Sequence, residues 1–418
     1  MREYIDLDNQ NIISVLENEE EFFERFTRKH GILWRPEDKY NHILPLSKSY
    51  VGYIVTPNRK INLLPKYREI GFEHIFRMYL YVYGYKSSDS ASVLDVSKTQ
   101  NDIDVAQLFF DSLQKNIQTG IIRTYKRTLI SSREIKGNVN YRSTYLKHMK
   151  RRKHPVDAVV SKLSLDNSYN RLIVSALSKL CHVRNYTSIS SKILMYFEGV
   201  LDNVDSGSEL FESITFNSNT SRYRQTLLYA AMIIDELDYD DVGNSVGTES
   251  FIVNFDRLFE DFVAKILINT PEKREFITWK ESKKYADIIS NGAKFDSRYY
   301  LPDILYQFKA EDEKFEYLPS SNAVLDVKNK AYGIFKNADI YQILTYAKLL
   351  HSKKALLLYP SFSEKYPDEL ILNPEIFDPP VIFGCYINIA DSTGEKFLNS
   401  ISFFVETVER IISDIGIK

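Results

Sequence analysis

The segment Ala323-Val-Leu-Asp-Val-Lys328 constrains the fold more than any other stretch of this chain. Its apolar residues predict a strand that leaves a buried core and ends near the lysine. Because side chains alternate along a strand, Asp326 and Lys328 share one face and Val327 points to the other. Such a carboxylate can bind a divalent metal ion while the ammonium group neutralises charge on an attacked phosphate.

Three other short pieces, in a fixed order around this strand, favour the same chemistry. Leu258-Phe-Glu260 lies on a predicted helix, and Asp303 follows Leu301-Pro302 at the preceding strand. Gln342 and Tyr346 are four residues apart, so they share one face of a helix and suit contacts to phosphate or to a carboxylate. A helical wheel places that face away from the residues expected to pack on the sheet, namely Ile340, Leu344 and Ala347.

Each piece alone has an ordinary structural explanation. An acidic residue two positions before a lysine also occurs in polar surroundings, at Glu37/Lys39, Glu281/Lys283 and Asp312/Lys314. On the helix, Glu260 and Asp261 flank opposite sides of one apolar stripe, and periodicity does not choose between them. Only the four pieces together, in this order along the chain, therefore indicate a metal-dependent nuclease.

Bulk properties exclude several other classes. The 418 residues suffice for two or three domains, and no apolar run approaches a membrane span. Two cysteines exclude a disulfide framework and suit the cytoplasm. There is no P-loop, no zinc-ligand spacing and no Gly-x-Ser-x-Gly turn. A net charge of −2 means that any grip on DNA is local or shared with a partner.

Periodicity and turn residues divide the chain into three segments. In 1–150 we expect helices over 8–30, 73–83 and 105–118, a β-hairpin over 50–64, and a second β pair between 121–126 and a strand ending near 137–141. Segment 151–240 is predicted to be helical, after the basic run 147–154. An acidic linker at 238–249 precedes the segment 245–418, in which helices and strands alternate.

These residues resemble the McrC family, the nuclease subunit of modification-dependent restriction systems. The resemblance begins near residue 45, with Val51-Gly52, Leu63-Leu-Pro-Lys66 and Gly120-Ile-Ile-Arg-Thr-Tyr125. It continues with Arg133-Glu-Ile-Lys-Gly137 and Asn170-Arg-Leu-Ile-Val-Ser-Ala176, and its nuclease motifs are the four pieces above. It implies an α+β N-terminal region with β-hairpins and helices, a helical middle section, and a C-terminal α/β PD-(D/E)xK restriction-endonuclease-like domain.

The resemblance also implies a site and partners. Glu260, chosen over Asp261, would act with Asp303, Asp326, Lys328, Gln342 and Tyr346, and Mg²⁺ (or Mn²⁺) would be bound by Glu260, Asp303, Asp326 and the Val327 carbonyl. The implied partners are a McrB-like AAA+ GTPase hexamer, into which segment 1–150 inserts, and methylated double-stranded DNA, with no membrane. Two alternatives remain open: a regulatory adaptor of the GTPase ring that keeps the nuclease fold as a scaffold, and a stand-alone RecB-like repair nuclease.

Overall fold

The structure is a computed structural model. It describes residues 3–7, 12–56, 58–83, 91–94, 105–135, 137–149, 156–183, 185–235, 238–239, 249–268, 275–279, 282–290, 293–309, 319–373 and 379–413. Most of the basic run 147–154, the centre of the acidic linker at 238–249 and the connection 310–318 lie outside the described residues.

The helices of these described segments are α1 (Glu20–Lys29), α2 (Pro36–Tyr40), α3 (Phe72–Tyr83), α4 (Val105–Thr119), α5 (Tyr141–Met149), α6 (Ser168–Cys181), α7 (Thr187–Leu194), α8 (Gly207–Ser213), α9 (Arg224–Asp235), α10 (Phe255–Ile268), α11 (Asn337–Leu349) and α12 (Gly394–Ile412). In the part of the chain that the structure describes, no helix is both long enough and apolar enough to cross a membrane.

The strands are β1 (Glu3–Leu7), β2 (Ile12–Ser14), β3 (Ile43–Pro45), β4 (Tyr50–Val55), β5 (Arg59–Leu63), β6 (Thr124–Ser132), β7 (Asn138–Val139), β8 (Val156–Ser164), β9 (Asp238–Tyr239), β10 (Glu249–Asn254), β11 (Phe276–Thr278), β12 (Lys283–Ser290), β13 (Ala293–Tyr300), β14 (Ile304–Tyr306), β15 (Ala323–Val327), β16 (Lys354–Ser361), β17 (Asp368–Leu370) and β18 (Val381–Asn388).

The chain forms two compact units that differ from the three segments expected from the sequence. Unit 1 comprises residues 1–54, 60–101 and 252–418, and unit 2 comprises 55–59 and 102–251. About one hundred N-terminal residues therefore belong to the same unit as the segment that carries Glu260, Asp303, Asp326 and Lys328.

The centre of unit 1 is a six-stranded mixed sheet in the order β11-β14-β15-β16-β18-β17. Strands β15, β16 and β18 run parallel, and α11 provides the crossover from β15 to β16. Strand β15 is buried along its whole length and β16 over all but its two ends, as expected for parallel strands covered on both faces. Strand β14 pairs antiparallel with β15, with Ile304 opposite Leu325, which brings Asp303 beside the end of the central strand.

Helices α3, α10 and α12 pack together in this unit. The apolar stripe predicted on α10 is confirmed, since Phe255, Phe259, Phe262 and Ile266 are buried. The Phe262 ring stacks on Phe397 of α12 at a centroid distance of 5.4 Å and meets Tyr81 of α3 edge-on at 5.4 Å. Because α10 is buried on several faces, each of these faces needs a packing partner, and α3 covers one of them.

The N-terminal part of unit 1 contains the predicted hairpin, β4 and β5, in a sheet with β1 and β10. Helix α1 packs Phe22, Phe23 and Phe26 into a core with Ile54, Ile61 and Leu63. The helix predicted over 8–30 is wrong at its start. Ile12 and Ile13 lie in β2, paired with β3, and α1 begins at Glu20.

Unit 2 combines a three-stranded sheet with helices α4 and α6–α9. The helices predicted over 73–83 and 105–118 are confirmed by α3 in unit 1 and α4 in unit 2, and α4 ends before Gly120, whose φ of 120° suits glycine. The predicted pairing of a strand at 121–126 with a strand ending near 137–141 is wrong. Strand β6 pairs along its length with β8, and β7 pairs with the other edge of β8. Strand β8 was not predicted.

Candidate active site

Two carboxyl groups meet at the end of the central strand of unit 1. Asp326 is the fourth residue of β15 and is 1% exposed, and Asp303 directly precedes β14. The backbone N–H of Val327 donates to Asp303 Oδ2 at 2.7 Å. The carboxyl groups of Asp303 and Asp326 lie close enough that each shifts the pKa of the other, and they can share a hydrogen bond when one of them is protonated. The strand pairing anticipated from the sequence therefore brings these two predicted residues together.

The pair is crowded with negative charge. Burial raises the pKa of Asp326 to about 7, and the charge on Asp303 adds to the shift. Burial also raises the pKa of Asp303, and Glu260 contributes to that shift. Two buried carboxyl groups in contact favour either a shared proton or a bound cation, so the pair has the electrostatics of a cation site.

Lys328 lies on the same face as Asp326, as alternation predicted, and forms an ion pair with it. Burial alone would lower the pKa of Lys328, but Asp326, Asp303 and Asp339 together outweigh it, and the pKa is raised. Lys328 Nζ donates to Gln342 Oε1 at 3.0 Å, and Gln342 Nε2 donates to the Tyr346 hydroxyl at 2.8 Å. Five of the predicted residues thus form one continuous network.

The orientation predicted for α11 is correct only in part. Ala347 is buried and Ile340 and Leu344 pack against the same core, as expected, but Ile343 and Tyr346, which is 8% exposed, are buried as well. Asp339 is also buried on this helix and accepts two hydrogen bonds from Lys330 Nζ, at 2.7 and 3.0 Å. The Gln342–Tyr346 face therefore packs toward the sheet and the carboxylates, where Tyr346 supports the network from within.

Glu260 stands apart from the carboxyl pair. It is exposed on α10, but its pKa is raised by partial enclosure, then by Asp261 and Asp256, and further by Asp326. The alternative Asp261 accepts a hydrogen bond from Tyr83 at 3.4 Å. Among the described residues, no three Asp, Glu, His or Cys side chains are grouped closely enough to hold one metal ion. A common ion for all three carboxylates therefore stays a prediction.

Sequence reasoning missed a second polar cluster beside the site. Lys66 was noted only as part of a Pro-Lys signature, and Asp256, Asn329 and Tyr67 were not considered, yet these four residues are hydrogen-bonded together. Two signals were available: Asp256 lies four residues before Glu260 on one helix face, and Asn329 directly follows Lys328. The contribution of Lys66, 190 residues away from Asp256 in sequence, left no local signal.

Comparison with solved structures identifies the fold. A chain of the refined half-complex from the tetradecameric assembly of Thermococcus gammatolerans McrB AAA+ hexamers with bound McrC aligns over 98% of this chain and 100% of its own length, with a TM-score of 0.56 and 17% identity. A chain of the cryo-EM structure of the T. gammatolerans McrBC complex aligns over 65% of this chain and 89% of its own length, with a TM-score of 0.42 and 18% identity. At 17% identity the first match establishes a shared mixed α/β fold, without evidence of shared chemistry.

Comparison by sequence gives the family. No curated protein matches the chain. The family model described as McrBC 5-methylcytosine restriction system component matches residues 46–360, which is more than half of the chain and includes the hairpin, both carboxyl groups and the Gln342–Tyr346 helix. The chain is therefore a member of the McrBC 5-methylcytosine restriction system component family.

Proposed function

We propose that this chain is the nuclease subunit of a modification-dependent restriction complex and hydrolyses DNA phosphodiester bonds with Mg²⁺. The observation that carries the proposal is the contact between Asp303 and Asp326, with Lys328 paired to the same carboxylate. Two carboxyl groups buried together lower the stability of the fold when they ionise, so their presence beside a lysine is more readily explained by a catalytic role than by a structural one.

The donor set fits a hard divalent cation. Asp303 and Asp326 would hold the ion, with the main-chain carbonyl of Val327 as a further ligand, and Glu260 is placed where its charge is felt at both aspartates. Mn²⁺ prefers similar oxygen donors and would substitute. When bound, the ion would polarise the scissile phosphate and lower the pKa of a bound water.

The other residues of the network act on charge and geometry. Because the pKa of Lys328 is raised, its ammonium group stays protonated and stabilises negative charge on the attacked phosphate. Gln342 accepts a hydrogen bond from Lys328 and donates to Tyr346, so it fixes the direction of the ammonium group. Tyr346 is buried in the core beneath α11 and so holds the Lys328–Gln342 pair in place.

The proposed partner is a McrB-like AAA+ GTPase ring, supported by the family match and by the shared fold with a chain from McrB hexamers with bound McrC. The net charge of −2 agrees with a subunit that relies on a partner for much of its hold on DNA.

Reconstitution tests the proposed function directly. The chain is combined with a McrB-like AAA+ GTPase from the same organism, GTP, Mg²⁺ and either methylated or unmodified plasmid. We expect cleavage of methylated plasmid that EDTA abolishes, and no cleavage by the chain alone. GTPase stimulation without cleavage would instead support the adaptor, and cleavage by the isolated chain would support a stand-alone repair nuclease.

Metal binding gives a prediction that does not depend on cleavage. Mg²⁺ or Mn²⁺ at ten times its dissociation constant should stabilise the isolated chain by about 1.4 kcal/mol, because only the folded state brings the carboxylates together. Differential scanning calorimetry would measure the shift in melting temperature. The Asp303→Asn variant should lose most of it, whereas Glu406→Gln, which changes an exposed carboxylate on α12, should keep it. An equal shift in the Asp303→Asn variant would place the metal elsewhere.

A further inference from the structure

A cluster of polar side chains joins the N-terminal hairpin segment to both elements that flank the carboxyl pair. Lys66, three residues after β5, directs Nζ at Asp256 Oδ1 (2.6 Å) and at the backbone carbonyl oxygen of Asn329 (2.7 Å). Asn329 Nδ2 donates to the same Asp256 oxygen at 2.8 Å. We call Lys66, Tyr67, Asp256 and Asn329 the Lys66 clamp.

The clamp holds main-chain atoms of the loop that follows β15. The Tyr67 hydroxyl lies 2.7 Å from the Asn329 carbonyl oxygen, to which it donates, and it accepts from the backbone N–H of Ala331 at 3.1 Å. The segment 328–336 between β15 and α11 has no helix or strand of its own. Lys66 and Tyr67 therefore give this loop contacts that secondary structure does not provide.

Both ends of the clamp adjoin proposed site residues. Asn329 follows Lys328 in the chain, and Asp256 lies one helical turn before Glu260 on α10. Helix α10 and the loop after β15 are separate elements, and Lys66 is hydrogen-bonded to both. The clamp consequently fixes where the Lys328 ammonium group lies relative to the Glu260 carboxylate.

The exposure of the clamp argues against a purely stabilising role. The side chains of Lys66 and Asp256 are 21% and 42% exposed, and ion pairs within reach of water contribute little to global stability. The hydrogen bonds are nevertheless charge-assisted and directional, which suits the control of geometry. Supporting hydrogen bonds of this kind commonly change activity by about 10–100-fold.

We propose that Lys66 is a positioning residue of the nuclease site, which holds the loop after Lys328 against the helix that carries Glu260. This inference rests on the proposed function. It makes the N-terminal segment part of the machinery for phosphodiester hydrolysis. Lys66 itself neither binds the metal nor contacts the reacting phosphate in this proposal.

The test compares Lys66→Met, Lys66→Arg and Asn329→Ala in the full chain within the reconstituted complex, with Lys48→Met as the control at an exposed lysine in the turn before β4. Four quantities are measured: the single-turnover cleavage rate, the DNA concentration for half-maximal rate, Mn²⁺ affinity by electron paramagnetic resonance, and the melting temperature.

For Lys66→Met we expect a cleavage rate lowered about 10–100-fold, with half-saturating DNA and Mn²⁺ affinity within about threefold of wild type and the melting temperature within a few degrees. Lys66→Arg should retain most of the wild-type cleavage rate. The double variant Lys66→Met/Asn329→Ala should cleave no more slowly than the slower of the two single variants, because both substitutions disrupt the same clamp. Lys48→Met should match wild type.

Several results would overturn the inference. A cleavage rate within twofold of wild type in Lys66→Met would show that the clamp is dispensable. If only the DNA concentration for half-maximal rate changed, Lys66 would be a DNA contact. If the melting temperature fell strongly together with the cleavage rate, Lys66 would be a structural residue. A wild-type complex that binds Mn²⁺ but does not cut would refute the proposed function, and the positioning role with it.

Discussion

The Asp326→Asn variant should lower DNA cleavage by about 10³-fold or more while the folded chain becomes more stable in EDTA. The loss is expected to be large because the variant removes a proposed metal ligand and the partner of Lys328 at once. An amide of nearly the same shape leaves β15 and its buried neighbours in place. Plasmid cleavage and stimulation of the partner GTPase would be measured on the same complex, and stimulation should be unchanged.

The gain in stability follows from the sign of the pKa shift. Asp326 has a pKa of about 7 in the folded chain, above the ordinary 3.8, so its ionisation disfavours folding. Wild-type stability should therefore fall as pH rises from about 4 to about 7, and the Asn variant should escape that loss. At pH 8 without metal we expect Asp326→Asn to be more stable than wild type by about 1–3 kcal/mol. This figure is smaller than the full effect of the pKa shift because the site relaxes and because Lys328 loses its partner.

Denaturant unfolding at pH 4, 6 and 8 would measure this difference, which should be near zero at pH 4 and largest at pH 8. Glu406→Gln serves as the matched control, since it makes the same chemical change at an exposed position of α12. Cleavage within tenfold of wild type, or a variant less stable than wild type at pH 8, would show that Asp326 is an ordinary buried carboxylate.

The parts of the site that were predictable depend on local signals. Alternation along β15 placed Asp326 and Lys328 on one face, and the Leu301-Pro302-Asp303 sequence placed the second carboxylate at the preceding strand. Both inferences use neighbours within a few residues or one hairpin. The ion pair between Lys328 and Asp326 confirms the first inference, and the direct pairing of β14 with β15 confirms the second.

The burial of Tyr346 on α11 was not predictable by the same logic. A helical wheel assigns apolar residues to the buried face, but Asp339 occupies part of that face and is neutralised by Lys330. Tyr346 is buried beside it and uses its hydroxyl group in the site network. A polar network inside the protein breaks the simple pattern that the wheel assumes, and functional sites are where such breaks are expected.

Pairings between distant segments left no trace in local sequence either. Residues 121–126 read as a strand, but the partner strand β8 lies more than thirty residues away and carries the buried Asp157 within its pattern. Ile12 and Ile13 fit a helical spacing with Leu16 as well as they fit a strand. The partner strand decides such ambiguous segments, and for β2 that partner is β3.

The isolated segment 245–418, which the family resemblance predicted to be the C-terminal nuclease domain, should fail to form a stable fold. Helix α3, from the N-terminal part, is buried at eight consecutive positions, Ile75 to Val82. Arg77 is 1% exposed and donates Nη2 to the Ser392 carbonyl at 3.1 Å, so α3 also holds the loop before α12. Without α3, Phe262 and its neighbours on α10 would face water.

The energetic cost of this truncation exceeds what a domain can tolerate. Each of the seven buried apolar side chains of α3 contributes about 1.5–3 kcal/mol through burial, and together they contribute about 10–20 kcal/mol, which is as large as the net stability of a typical domain, about 5–15 kcal/mol. We expect 245–418 expressed alone to be insoluble, or soluble without a cooperative unfolding transition. Co-expression with residues 1–101 should restore a soluble complex, because these residues supply the rest of unit 1.

The matched control for co-expression is 1–101 carrying Arg77→Met, which keeps the apolar surface of α3 but removes the hydrogen bonds to the carbonyls of Leu94 and Ser392. Unpaired buried carbonyl groups cost about 1–3 kcal/mol each, so this version should rescue poorly. A monomeric 245–418 that unfolds in one sharp transition would contradict the argument. Rescue by wild-type 1–101 would show that residues 1–101 and 245–418 build one hydrophobic core together. The sequence alone had suggested a partner-binding region followed by a separate nuclease.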